Sequence, residues 1–356
     1  MSEVLDRTRQ AIEPAHSKAM EEARARQDQL TKPQGSLGKL EELSVKLAGI
    51  QGEGPLRIGH KAIITMAADH GVVAAGVSAY PQEVTVQMVY NFLRGGAGIN
   101  VLARLVGARV IVVDMGVAAR LEPHPQLISR KVAFGTRNMT TGPAMTYGEA
   151  RRSIETGIAI VEDEIARGLD IVGTGDMGIG NTTASSAICA VMTGKPVAEV
   201  TGRGTGIDDK QLAHKTAVIQ KALAVNHPDP RDPVDVLAKV GGFEIGGLVG
   251  VMLGAAAHRI PVMVDGFISG AAALIASALA PGLKDYLTAA HVSVEAGHRA
   301  LLRHLGMEPL LDLGMRLGEG TGAALGIFFS EASVKILHEM ATFAEAGVSE
   351  KESEDR

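Results

Sequence analysis

Four apolar runs in the chain each end in an acidic residue within two positions of a glycine, and helical stretches separate them. The runs are KAIITMAADHG (61–71), ARVIVVDMG (108–116), LDIVGTGDMG (169–178) and RIPVMVDGF (259–267). Runs that are apolar at every position suit strands buried on both faces, which is the condition of a parallel sheet between helical layers. The segments 97–106, 146–167 and GGLVGVMLGAAAH read as the intervening helices. Two weaker strands are expected near 130–134 and 195–199. Four strong strands and two weak ones fall short of a closed eight-stranded barrel, so the expected fold is α/β with a doubly wound, mainly parallel sheet. Its ligand crevice lies beyond the carboxyl ends of the strands.

The ends of the chain differ from its middle. Residues 1–30 and 331–356 are more charged and read as helices, giving an expected small helical domain from both chain ends beside a large domain over 31–330. Between them, TKPQGS makes a loop at 31–36. Leucines at 37, 40, 43 and 47 then mark one apolar stripe of a helix over 37–49. The terminal KESEDR is expected to fray.

Composition removes several classes of function. The 356 residues carry 35 basic and 40 acidic side chains, a net charge of −5, with no long basic cluster, so nucleic acid is not an expected partner. No apolar run reaches the length of a membrane span, and the N-terminus lacks the apolar centre of a secretory signal, so a cytoplasmic location is expected. The lone cysteine, Cys189 in TTASSAICAVMTG, has no disulfide partner and reads as a buried helix residue. Forty-three glycines against 14 prolines, with no repeat, point to tight turns and to backbone lying close to a ligand.

The polar residues concentrate at strand ends. A parallel sheet brings Asp69 with His70, Asp114, Asp176 and Asp265 to one edge. Each of them either lines a pocket there or caps the turn that follows. GTGDMGIGNTT (173–183) leads into a helix whose first N–H groups suit a phosphate, and TGRGTGID (201–208), with Lys210 and Lys215 after it, repeats the glycine-rich theme. Neither has a Walker lysine ending or the spacing of a dinucleotide fingerprint, so phosphate binding and ordinary turn formation both stay open for each. No metal is expected: Asp69 and His70 form an isolated pair, and His70 reads as a hydrogen-bonded loop histidine. LGEGTGAAL (317–325) sets Glu319 between two glycines ahead of a helix. That placement suits either a reactive carboxylate or one that interacts with free N–H groups at the helix start.

The motifs KPQGSLGKLEEL, ADHGV, GGAGINVLAR, GDMGIGNTT, GRGTGID, NHPDPRDPVDVLAKVGGFEIGGLVG, DGFISGAAAL and LGEGTGAAL occur in one order along residues 30–330. In that order the chain resembles the nicotinate-nucleotide:dimethylbenzimidazole phosphoribosyltransferases of the cobalamin lower-ligand pathway. The resemblance implies a Rossmann-like large domain, a small helical domain and a homodimer. It also implies transfer of the 5-phosphoribosyl group from nicotinate mononucleotide to 5,6-dimethylbenzimidazole, giving α-ribazole 5′-phosphate and nicotinate, with no cofactor. Glu319 matches the family's general base. Asp176 matches a second carboxylate, often glutamate in the family and here one methylene shorter. The acceptor side of the pocket resembles GVSAYPQEVTVQM, with Tyr80, Gln87 and Met88 as lining residues. The nucleotide side is implied at Gly178, Gly180, Asn181, Gly204, Lys215, Ser293, Gly297 and Arg316. A related activity on other purine-like or phenolic acceptors is the alternative.

Overall fold

The computed structural model describes residues 3–204 and 206–349; the KESEDR terminus lies outside the described residues. Among the described residues six strands form one sheet: β1 (Lys61–Ala68), β2 (Arg109–Gly116), β3 (Leu127–Ser129), β4 (Ile171–Met177), β5 (Val262–Val264) and β6 (Leu287–Ala289). Their order is β3-β2-β1-β4-β5-β6, and every neighbouring pair is parallel. This is the doubly wound arrangement, and its strand order reverses between β1 and β4.

The central strand shows why the sheet needs cover on both faces. All eight residues of β1 are buried. Ala62, Ile64, Met66 and Ala68 belong to one apolar cluster, while Ile63 and Ala67 belong to another. Successive side chains of a strand point to opposite faces, so a continuous apolar run supplies two cores at once. The first core is closed mainly by the helices Tyr147–Ala166, Phe243–Ala257 and Phe267–Leu279; the second by Lys39–Gln51, Gly98–Val106 and Thr321–Glu339. Gly157 and Gly250 let two of these helices touch, because a Cβ on either would overlap backbone of the other.

Three sequence expectations shift. The strand expected at 130–134 lies at Leu127–Ser129, and 195–199 holds no strand, since Val197–Val200 is a short helix after Pro196. Pro196 has no N–H to give a strand ladder, and its fixed φ suits the start of a helical turn. The missing sixth strand is β6, three residues long and preceded by the turn Pro281–Asp285.

The two chain ends meet. Thr31 N–H donates to Ala341 O, Leu30 and Thr342 form an antiparallel bridge, and Arg26 donates to the carbonyls of Leu337 and Met340. The helix Thr321–Glu339 runs unbroken from the strand-end side to these contacts. Among the described residues no helix is long and apolar enough to cross a membrane.

Candidate functional site

The register puts Asp176 of β4 opposite Met66 of β1, and Asp114 of β2 opposite Ala67. The carboxylates therefore do gather at one edge, but they do different work there. Asp114 pairs with Lys131 at 2.8 Å and accepts the Val117 N–H. Asp69 accepts the Ala118 N–H at 2.7 Å. Asp265 accepts N–H groups from Gly320 and Ala323 at the start of the helix Thr321–Glu339. These three hold turns and helix starts, whereas Asp176 faces a cavity of about 460 Å³.

His70 also belongs to the support. Its Nε2 lies 2.6 Å from Glu244 Oε1, both side chains are buried, and the ring fills space left by Gly242. Burial alone would lower its pKa, but the neighbouring Glu244 carboxylate outweighs that and raises it. The pair lies under the turn at Gly178 and Gly180, where a Cβ would meet His70 at 3.5 and 3.2 Å. Cys189 is buried in its helix, and burial pushes its thiol up to about 11.

Glu319 forms the end wall of the cavity and is almost fully buried. It sits in a left-handed turn with φ of 80° at Gly318, 65° at Glu319 and 100° at Gly320. A glutamate in that region costs about 1–2 kcal/mol, so its surroundings must hold it. They do so at both ends: Thr65 Oγ1 donates to the Glu319 carbonyl at 3.0 Å, and the Ile99 N–H donates to Oε2 at 3.0 Å. Asp265 fixes the residue that follows. The carboxylate thus rests on the N-terminus of the helix Gly98–Val106, not on that of its own helix. Burial raises its pKa, and the N–H groups of Ile99 and Gly98 partly oppose the shift.

Asp176 is pushed much further. Burial, then the charges of Asp265 and Glu244, raise its carboxyl well above the ordinary 3.8, against a hydrogen bond from Asn181 Nδ2 at 2.9 Å. Its Oδ1 is buried without a hydrogen-bond partner. A Cβ on Gly318 would stand 3.3 Å from Oδ2, so the glycine lets the two carboxylate segments approach.

Of the sequence candidates, Tyr80, Met88, Asp176, Gly178, Asn181, Gly204, Ser293, Arg316 and Glu319 line this one cavity. Gln87, one residue before Met88 on the same helix, is exposed and does not line it. Gly180 lies behind the wall as the N-cap of the helix Asn181–Thr193, with φ of 94°. Gly297 packs against Phe267 and the Val200 carbonyl, where any side chain would collide. Lys215 stands one layer back: its buried Nζ donates to Thr182 Oγ1 at 2.8 Å and to the Gly202 carbonyl at 3.3 Å. Burial lowers that ammonium to about 8, with Glu295 opposing.

The sequence did not point to His291, Glu295 or the apolar wall of Val84, Phe267 and Leu317. His291 follows β6, the strand that was not anticipated, and burial lowers its pKa. His298 Nδ1 accepts the Ser293 N–H at 2.7 Å, which requires an unprotonated nitrogen; burial holds its pKa down at about 3. The only available signal for Glu295 was the repeated acid-glycine pattern of SVEAGH. Among the described residues, no three His, Cys, Asp or Glu side chains are grouped to hold a metal ion.

The result is a partly open cleft with an apolar wall, two carboxylates of raised pKa, glycine backbone and a helix N-terminus, with a buried lysine behind it. Such a site suits a flat apolar base and an anionic partner in one chamber. Residues 12–348 match a family model described as phosphoribosyltransferase. A nicotinate-nucleotide:dimethylbenzimidazole phosphoribosyltransferase of Roseiflexus sp. is 64% identical over 98% of this chain and 99% of its own length. One from Desulforudis audaxviator is 61% identical over 99% of this chain and 100% of its own. The crystal structure of CobT from Thermus thermophilus superposes with a TM-score of 0.90 at 49% identity, covering 94% of this chain and 100% of that one. On these matches, the chain belongs to the nicotinate-nucleotide:dimethylbenzimidazole phosphoribosyltransferase family.

Proposed function

We infer that the chain transfers the 5-phosphoribosyl group of nicotinate mononucleotide to 5,6-dimethylbenzimidazole, forming α-ribazole 5′-phosphate and nicotinate. The observation that carries this reading is the Glu319 carboxylate, buried at the end of an apolar-walled cavity and braced by Thr65, Ile99 and Asp265.

The chemistry asks little of an acid. The nucleotide's pyridinium nitrogen departs by taking the electron pair of its bond to C1′, becoming neutral at that atom. One benzimidazole nitrogen forms the new bond to C1′ from the opposite face, which converts a β-nucleotide into an α-riboside. The other nitrogen then loses its proton to Glu319, whose raised pKa makes it a stronger base than an exposed glutamate. Glu319 passes the proton to solvent. The apolar wall limits the access of water to the developing ribosyl cation, and carboxylate charge in the cavity supports it.

In this reading Tyr80, Met88 and the neighbouring apolar wall take the base. The phosphate end lies at Thr182, Gly204 and Arg316, with Lys215 behind and the helix Asn181–Thr193 presenting its N-terminus. Asp176, Asn181 and Ser293 border the ribose. Gln87, Gly180 and Gly297 support the walls and do not touch ligand. The reading extends to a homodimer with a large domain over 31–330 and a small domain from both ends, carried by the family resemblance, and to a cytoplasmic location. Light scattering checks the assembly.

Mass analysis of products from nicotinate mononucleotide and a panel of bases tests the reaction. An α-riboside of dimethylbenzimidazole supports it. A preference for purine-like or phenolic acceptors redirects the specificity, and absence of any riboside overturns the reaction.

A further inference from the structure

Glu295 starts the helix Ala296–Leu305 as its N-cap residue, yet its side chain makes no capping bond there. The carboxylate crosses to the glycine-rich loop, where Oε1 accepts the Gly204 N–H at 2.9 Å. Among the described residues Oε2 is buried with no hydrogen-bond partner, and it presses on Gly202, where a Cβ would overlap it. The residue is only 6% exposed, and it lines the cavity. A half-satisfied buried carboxylate is unfavourable. Its surroundings show what it stands in for: a backbone N–H donor, the buried Lys215 ammonium that feels its charge, and Arg316, which donates to the Gly204 carbonyl at 3.0 Å. Those are the groups an incoming phosphate would use, and two anions cannot share them at low cost.

We propose that Glu295 is an internal competitor for the nucleotide phosphate, a specificity-determining carboxylate that occupies the Gly204 donor until the substrate displaces it. The proposal rests on the placement of the phosphate end given above. Displacement swings Glu295 off Gly204 and leaves the N–H, Lys215 and Arg316 to the phosphate. The carboxylate therefore sets a threshold that strong, doubly charged anions overcome and weaker ones do not.

Steady-state kinetics of Glu295→Gln, which keeps the size and removes the charge, test this. The expected result is a KM for nicotinate mononucleotide lower by about three- to tenfold, with inhibition by inorganic phosphate strengthened to match, as relief of a like-charge contact predicts. The KM for nicotinate riboside, which has no phosphate, stays unchanged. Glu295→Ala moves both constants in the same direction, with thermal unfolding confirming that each variant is folded. An unchanged or higher KM for the nucleotide overturns the proposal. Equal shifts for nucleotide and riboside also overturn it, since Glu295 would then act on the ribose. Lys215→Met separates the underlying placement. If it alters neither nucleotide KM nor phosphate inhibition, the phosphate end lies elsewhere and both readings fail. If it weakens both while Glu295→Gln changes nothing, only the competition fails.

Discussion

Glu319 accepts the N–H of Ile99 at 3.0 Å, so the carboxylate is held by a residue 220 positions earlier in the chain, at the start of the helix Gly98–Val106. The start of a helix offers free N–H groups and a positive dipole end, which steady the anion without neutralising it. Glu319→Gln keeps an acceptor for Ile99 and removes only the basicity. Its kcat is expected to fall by roughly 10²–10⁴-fold, the usual worth of a general base. Nucleotide binding by calorimetry and the circular dichroism spectrum should remain those of the parent protein. Normal turnover would remove Glu319 from the reaction.

The same contact fixes the direction of the pH profile. Burial raises the Glu319 pKa above the ordinary 4.5, and the base must be ionised to accept a proton. Activity is therefore lost as pH falls through the raised value, and the acid limb of kcat/KM lies above 4.5. Profiles between about pH 4 and 9 check this. A limb at or below the ordinary value would mean that the N–H groups outweigh burial.

Gly175 tests the brace from the backbone side. A Cβ there would overlap the Glu319 carbonyl oxygen, and it would stand 2.8 Å from Thr65 Oγ1. Gly175→Ala forces the left-handed turn away from β4. Turnover should fall at least about tenfold, since small misplacements of reacting groups are costly. Stability should drop by about 1–3 kcal/mol in urea titration, typical of overpacking. Full turnover would show that the turn tolerates movement.

The His70 and Glu244 pair should behave as a unit. Glu244→Ala leaves a buried imidazole without its partner at 2.6 Å, at an expected loss of about 3–5 kcal/mol. The His70 pKa is raised in the folded protein, so its share of stability is complete below the ordinary 6.5 and is lost as pH rises through the raised value. Urea unfolding at several pH values checks both statements. A mild, pH-independent loss would show that the pair is replaceable packing.

The strands were legible where both faces are buried, because β1, β2 and β4 carry their apolar runs without reference to anything distant. The edge strands β3 and β6 have three residues each, too few for a period to register, whereas the equally short but internal β5 showed through the apolar run RIPVMVDGF. Asp176 and Glu319 stood out through their glycine neighbours, which the structure uses to bring the two segments within contact. What sequence could not supply were pairings across the chain. Ile99 under Glu319 and Glu295 on Gly204 depend on where helices end in space. Gln87 went the other way: it shares a motif with Met88, but adjacent helix residues point about 100° apart, so only one of them reaches the cavity.

Asp176 carries the sharpest trade-off between stability and function. Its carboxyl is buried, Oδ1 has no partner, and the charges of Asp265, Glu244 and Glu319 add to the effect of burial. Its folded pKa is raised above the ordinary 3.8, so the proton it binds stabilises the fold fully below that value. This contribution is lost as pH rises through the raised pKa. Asn in its place needs no proton and can still accept the bond from Asn181. Asp176→Asn should therefore be more stable than the parent at pH 8, by about 1 kcal/mol, and the gain should shrink as pH falls toward about 5. Turnover should fall at the same time, because Asp176 lines the cavity beside Gly318 and Glu319. Thermal melts at the two pH values, with activity assays on the same samples, check both halves. A variant less stable than the parent at pH 8 would mean that the Asp176 carboxylate finds a partner in solution that offsets its burial.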